Sequence, residues 1–122
     1  MLKAGGRVVL VDNVAPDDDP ATDTFWQMME YLRDTSHVRA HSVAQWRAMF
    51  TETGFNVEVR HRWKKRLEFQ PWVERIGTPH FNQAMIKTLL DDASQAVHEW
   101  LQIDEHYNFT LHAALFVGIK TA

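Results

Sequence analysis

Seven histidines and no cysteine pose the first question, whether this 122-residue chain holds a metal or a nucleophile. His37 and His41 stand four apart, but residues 35–41 read as a polar loop, so no common helix face joins them. His98, His106 and His112 fall on different expected elements, without the spacing that brings three or four zinc ligands together at about 2.0–2.3 Å. Packed or solvated histidines and no bound metal are the expectation. His98 and Glu99 are neighbours, and adjacent helical residues do not face each other, so they make no acid–base pair. A hydrolytic serine has no support: there is no Gly-x-Ser-x-Gly elbow, and Ser36, Ser42 and Ser94 read as loop or cap residues. Neither Gly-x-Gly-x-x-Gly nor a phosphate loop occurs. The placement that does invite chemistry is Asp12-Asn13. It closes the apolar run Val8–Val11, which the chain enters through Gly5-Gly6. Such a run reads as a strand buried on both faces, and in open α/β sheets ligands gather beyond the carboxyl ends of these strands.

The elements that must position these residues follow in order. Asp19 reads as an N-cap with Pro20 at the first helical position, and the acids Asp17 to Asp19 suit the positive end of the helix. Phe25, Met28, Met29 and Leu32 recur at helical spacing, a stripe expected to be core. Ser42 and Gln45 form a capping box, Val43, Trp46, Met49 and Phe50 mark the buried face of the next helix, and Gly54 ends it. Residues 55–69 alternate. Phe55, Val57, Val59, Trp63, Leu67 and Phe69 are expected on one face, with His61 and Lys65 falling on that face, and the charged residues on the other. Pro71 to Gly77 reads as a short helix. Thr78-Pro79 opens another with Phe81, Met85 and Leu89 on its inner face, and a third carries Val97, Trp100 and Leu101. A last strand, 110–119, loses its alternation and should be buried on both sides.

From these patterns we expect an α/β fold of one domain, 1–122. Its three-stranded mixed sheet has 110–119 in the middle, 7–12 on one side and 55–67 at the edge. A net charge of -3, from 13 basic and 16 acidic residues, argues against a general nucleic-acid or anionic-membrane binder. The basic run Arg60–Arg66 is expected to be the solvated face of an edge strand. No secretory signal is expected, residues 1–12 carrying a β-type run that is too short for a spanning helix, so a cytoplasmic location is the expectation.

The segment Leu2-Lys3-Ala4-Gly5-Gly6-Arg7-Val8-Val9-Leu10-Val11-Asp12 resembles the turn and fifth strand of class I S-adenosylmethionine-dependent methyltransferases, with Ala4 at the family's usual proline. The likeness continues through Asp12–Pro16, Leu32–Arg39, and Ser42–Arg47 with Gly54-Phe55, and is similar to the ubiquinone/menaquinone-biosynthesis group. The resemblance implies the C-terminal part of a partial Rossmann-like methyltransferase, in which the final strand inserts antiparallel between the fifth and sixth. Glycine-rich strand-to-helix loop and acidic strand end, the family's cofactor-binding features, are absent from the sequence. S-adenosylmethionine is therefore implied by the family only, and none is expected to bind this chain alone. The resemblance also implies that Asp12, Asn13, Arg33, His37 and Arg39 border the acceptor substrate. His37 is then the expected catalytic base, because its imidazole titrates near neutrality.

Two functions are consistent with this. One is the acceptor-substrate half of a small-molecule methyltransferase, active only if a partner or a missing N-terminal segment supplies the cofactor site. The other is a non-catalytic dimerising or small-ligand-binding module of the same origin. An uncovered apolar edge invites pairing, so a homodimer through strand 7–12 is expected if no partner covers it.

Overall fold

The computed structural model describes residues 3–121; Leu2 of the first motif lies outside the described residues. Gly5 and Gly6 turn the chain into β1 (Arg7–Asn13). Helices α1 (Pro20–Arg33) and α2 (Val43–Glu52) follow, then the long strand β2 (Phe55–Leu67). Three shorter helices, α3 (Phe69–Glu74), α4 (His80–Asp91) and α5 (Gln95–Leu101), lead into β3 (Phe109–Lys120). The sheet order is β1-β3-β2, as the patterns require, with β3 antiparallel to both neighbours, as the resemblance implies. β3 is buried on both sides through most of its length.

Helix ends follow their local chemistry. Asp19 accepts a hydrogen bond from the Thr22 amide at 3.1 Å and from its hydroxyl at 2.6 Å, and Pro20 starts α1. Ser42 and Gln45 close a reciprocal capping box on α2. Gly54 ends that helix with φ +91°, a left-handed conformation that glycine adopts at no steric cost.

Three expectations are corrected. The first concerns β2. Val59 pairs with Phe116 and His61 with Leu115, so Arg60 is the extra residue of a β-bulge. Phe55, Val57 and Val59 therefore pack on the α2 side with Val14, Phe50, Ala114 and Phe116. His61, Trp63, Lys65 and Leu67 share the opposite face with the odd-numbered residues of β3, and Phe69 has already left the sheet for α3. A constant period of two cannot reveal a bulge, because the inserted residue flips the faces without disturbing the letters. The second correction is β1, which is not buried on both faces. Val8 and Leu10 pack against the α2 cluster, but Val9 and Val11 remain 58% and 55% exposed. Trp26, Met29, Phe69, Trp72, Ile86, Leu90 and Leu101 form the larger core with Phe109 and Leu111, at the other end of that face. The third concerns α4. Its inner residues are Ile86 and Leu90; Phe81 and Met85 are exposed and Leu89 is half-buried.

Candidate functional site: an apolar groove between two helices

The outward stripes of α1 and α4 face one another. Met28, Tyr31 and Leu32 from α1, and Phe81, Met85 and Leu89 from α4, line an open groove of about 860 Å³, closed on one side by His37, Val38 and Arg39. Among the described residues, most of the large exposed apolar side chains gather here: Met28, Tyr31, Val38, Phe81 and Met85, with Phe81 74% exposed. A contiguous apolar surface of this kind marks a binding site more often than chance exposure does.

The groove is built on a cross-link between helices. Helix α1 ends with carbonyls that have no partner inside the helix. Thr78 donates its hydroxyl to the Arg33 carbonyl at 2.8 Å, and Asn82 donates its amide to the Leu32 carbonyl at 2.9 Å. The start of α4 thereby caps the end of α1 and fixes the spacing of the two walls.

The 37–40 wall is held by polar side chains. Gln27 donates to Asp23 Oδ1 at 2.9 Å and to the Ala40 carbonyl at 2.7 Å, while its Oε1 accepts from the Ala40 amide at 3.1 Å. The same Oε1 lies 3.0 Å from His37 Nε2. Arg39 donates to Asp23 Oδ2 at 2.6 Å. Behind His37 stands Glu30, with Oε2 3.8 Å from Nδ1 and both side chains only 16% exposed. Burial pushes the Glu30 carboxyl up to about 7, with Asp34 and Asp12 adding to the rise and Arg33 opposing it. Burial likewise lowers His37, against the attraction of Asp34.

The sequence-derived candidates therefore separate. His37 and Arg39 stand together on the groove wall. Arg33 points elsewhere: its Nε donates to the Trp72 carbonyl at 3.0 Å, and its guanidinium lies 4.8 Å from the centre of the Trp72 ring, tying α1 to α3. Asp12 accepts from the Asn13 amide at the end of β1, and reaches the site as the distant charge acting on Glu30. Glu30 itself was missed. An acid beside Met29 in a helix reads as solvated, and only the tertiary position of His37 marks it as buried. No three His, Asp or Glu side chains converge in metal-binding geometry among the described residues.

The described residues do not form a cradle for S-adenosylmethionine. Residues 14–19, which join β1 to α1, contain no glycine, and two of their three acids are occupied: Asp19 caps α1 and Asp17 accepts from the Ala44 amide. β2 runs into α3 through Glu68 alone. Gly5, Gly54 and Gly77, the glycines with positive φ, sit in turns or behind helix ends rather than where a strand enters a helix.

Comparison with known proteins bears on this division. An uncharacterized methyltransferase of Bacillus subtilis strain 168, YcgJ, is 36% identical over 125 residues, covering 98% of this chain and 49% of its own. An uncharacterized protein of Escherichia coli K12, YafE, is 34% identical over 122 residues, covering 100% of this chain and 58% of its own. The crystal structure of YcgJ superimposes with a TM-score of 0.93 at 34% identity, over 99% of this chain and 53% of that one. A candidate methyltransferase of Bacillus halodurans gives 0.90 at 29% identity, over 99% and 58%. No family model matches the chain. The chain spans about half the length of the curated relatives it matches. Its three-stranded sheet and packed helices match part of a Rossmann-like methyltransferase fold.

Proposed function

We propose that this chain, which is related to methyltransferases by sequence and fold, is the acceptor-substrate half of an S-adenosylmethionine-dependent small-molecule methyltransferase. The carrying observation is the groove between α1 and α4. It is large enough for a small organic molecule and is walled by apolar side chains, and it contains two of the residues that the family resemblance assigns to the acceptor side, His37 and Arg39. In this reading the groove aligns the acceptor and excludes water, which is most of what a transfer between two bound molecules requires. His37 is the base. Its Nε2 lies against Gln27 and its Nδ1 faces Glu30, so to act as a base the ring must turn one nitrogen into the groove when the acceptor binds. The cofactor site lies on another segment or partner chain.

Calorimetric titration with S-adenosylmethionine and S-adenosylhomocysteine tests this reading. The chain alone should show no binding at millimolar ligand. Binding should appear when it is mixed with the part of YcgJ that it does not match. Micromolar binding by the chain alone, or none by the mixture, would contradict it.

A second reading is a non-catalytic module that dimerises or binds a small ligand. The exposure of Val9 and Val11, on a strand whose outer edge is unpaired among the described residues, favours it. A monomer mass by light scattering at micromolar protein would remove the dimer from that reading.

A further inference from the structure

Hydrogen-bond polarity fixes the protonation pattern behind the groove wall. The Ala40 amide can only donate and the Ala40 carbonyl can only accept, so the Gln27 side chain cannot be flipped: its Oε1 must face the Ala40 amide. That same Oε1 faces His37 Nε2 at 3.0 Å, so Nε2 must carry a hydrogen. In the neutral ring Nδ1 is then bare, and the group beside it is the Glu30 carboxyl. A carboxylate beside a bare ring nitrogen, both shielded from water, is unfavourable. One proton on either partner removes the conflict, as a carboxylic acid beside neutral imidazole or as a carboxylate beside imidazolium.

We propose that Glu30 is the positioning residue of the groove wall: with His37 it forms a pair carrying one proton, and this proton keeps the 37–40 segment seated on α1. The charges around the pair come from every neighbouring element. Arg33 and Asp34 flank it at the end of α1, Asp12 acts from the end of β1, and Arg39, paired with Asp23, acts from the loop. Arg75, after α3, acts on Arg33. The proton is released as pH rises through about 7, the direction set by burial of the carboxyl. The Ala40 amide, which donates to the same Gln27 oxygen, reports the change. The consequence for ligand binding rests on the groove being the acceptor site; the pair itself does not.

The experiment is a ligand-free NMR titration of the intact chain, following the Glu30 carboxyl carbon, the His37 ring nitrogens and hydrogen exchange at Ala40. We expect a carboxyl midpoint near 7, a neutral His37 with its hydrogen on Nε2, and an Ala40 protection factor falling about tenfold above neutrality. Glu30→Gln keeps a donor beside Nδ1 and should hold Ala40 protection constant with pH. Glu30→Ala should lose that protection at every pH. Wild type should follow Glu30→Gln below neutrality and Glu30→Ala above it. A Glu30 midpoint in the ordinary carboxylate range, or a neutral His37 protonated on Nδ1, overturns the proposal even if both variants fail to fold. Because no ligand is present, a groove that binds nothing would sink the functional reading without touching this result.

Discussion

Helix α2 lays Val43 and Phe50 against Val14, Ala114 and Phe116 on one face of the sheet. Helix α4, of similar length, sinks Ile86 and Leu90 into the other core and turns Phe81, Met85 and Leu89 out into the groove. Both carry apolar residues at helical spacing, yet only one stripe is covered. Periodicity reports that a face is suited to leaving water; what covers it is decided by the neighbours. The fastening differs too. α2 is capped by its own Ser42 and Gln45, a local arrangement written in four residues. The groove walls are joined by Thr78, Asn82, Gln27 and Arg39, each reaching a partner distant in sequence.

The contrast is sharpest when equal substitutions are made on the two sides. Phe116 is fully buried in the α2 layer, so Phe116→Ala should cost about 3–5 kcal/mol by chemical denaturation. A loss below about 1 kcal/mol would show that this layer is not the closed core described. Gly118 tests the same layer from the opposite direction. A Cβ there would stand 2.9 Å from two ring carbons of Phe50, so Gly118→Ala should destabilise by about 1–3 kcal/mol through overpacking.

On the groove side the largest effect should depend on pH. Glu30 binds its proton more tightly folded than unfolded. Its contribution is fully present below the unfolded value of 4.5 and is lost as pH rises through about 7. His37, lowered by burial, acts in the opposite sense: its contribution is present above the unfolded 6.5 and is lost as pH falls. Glu30→Gln carries no charge to bury. It should therefore be more stable than wild type by roughly 1–3 kcal/mol at about pH 9 and nearly equal at about pH 5, read from paired urea melts. A constant difference across that range would remove the buried carboxyl from the account. Phe81→Ala should have the smallest effect on stability, within about 0.5 kcal/mol, because the ring is already in water, while weakening any apolar ligand of the groove.

Much of the frame was legible in the sequence. Asp19-Pro20, Ser42 with Gln45, and Gly54 act over one turn of backbone, so their residue types suffice to place helix ends. The strand order also followed, because 7–12 and 113–119 read as interior strands and the alternating 55–67 as an edge, which puts the last strand between the other two. What escaped were consequences of packing. The bulge at Arg60 leaves the alternation of letters intact while exchanging the faces. Val8 to Val11 reads as doubly buried, yet the helical layer reaches only the Phe109 end of that face. Of the candidate site, the resemblance brought out His37 and Arg39. The resemblance also puts Arg33 beside the acceptor, and its side chain is engaged with α3. Glu30 carries no signal of its own, because its chemistry comes from the histidine seven residues later that folds back upon it.

The central claim is that the groove, and not the exposed edge of β1, is where this chain binds a small molecule. Side-chain methyl NMR with 8-anilinonaphthalene-1-sulfonate, an apolar anion, would decide between them. The account predicts saturable shifts at the methyl groups of Met28, Leu32, Met85 and Leu89, reduced in Phe81→Ala. Shifts confined to Val9 and Val11, or spread evenly over the chain, would contradict it.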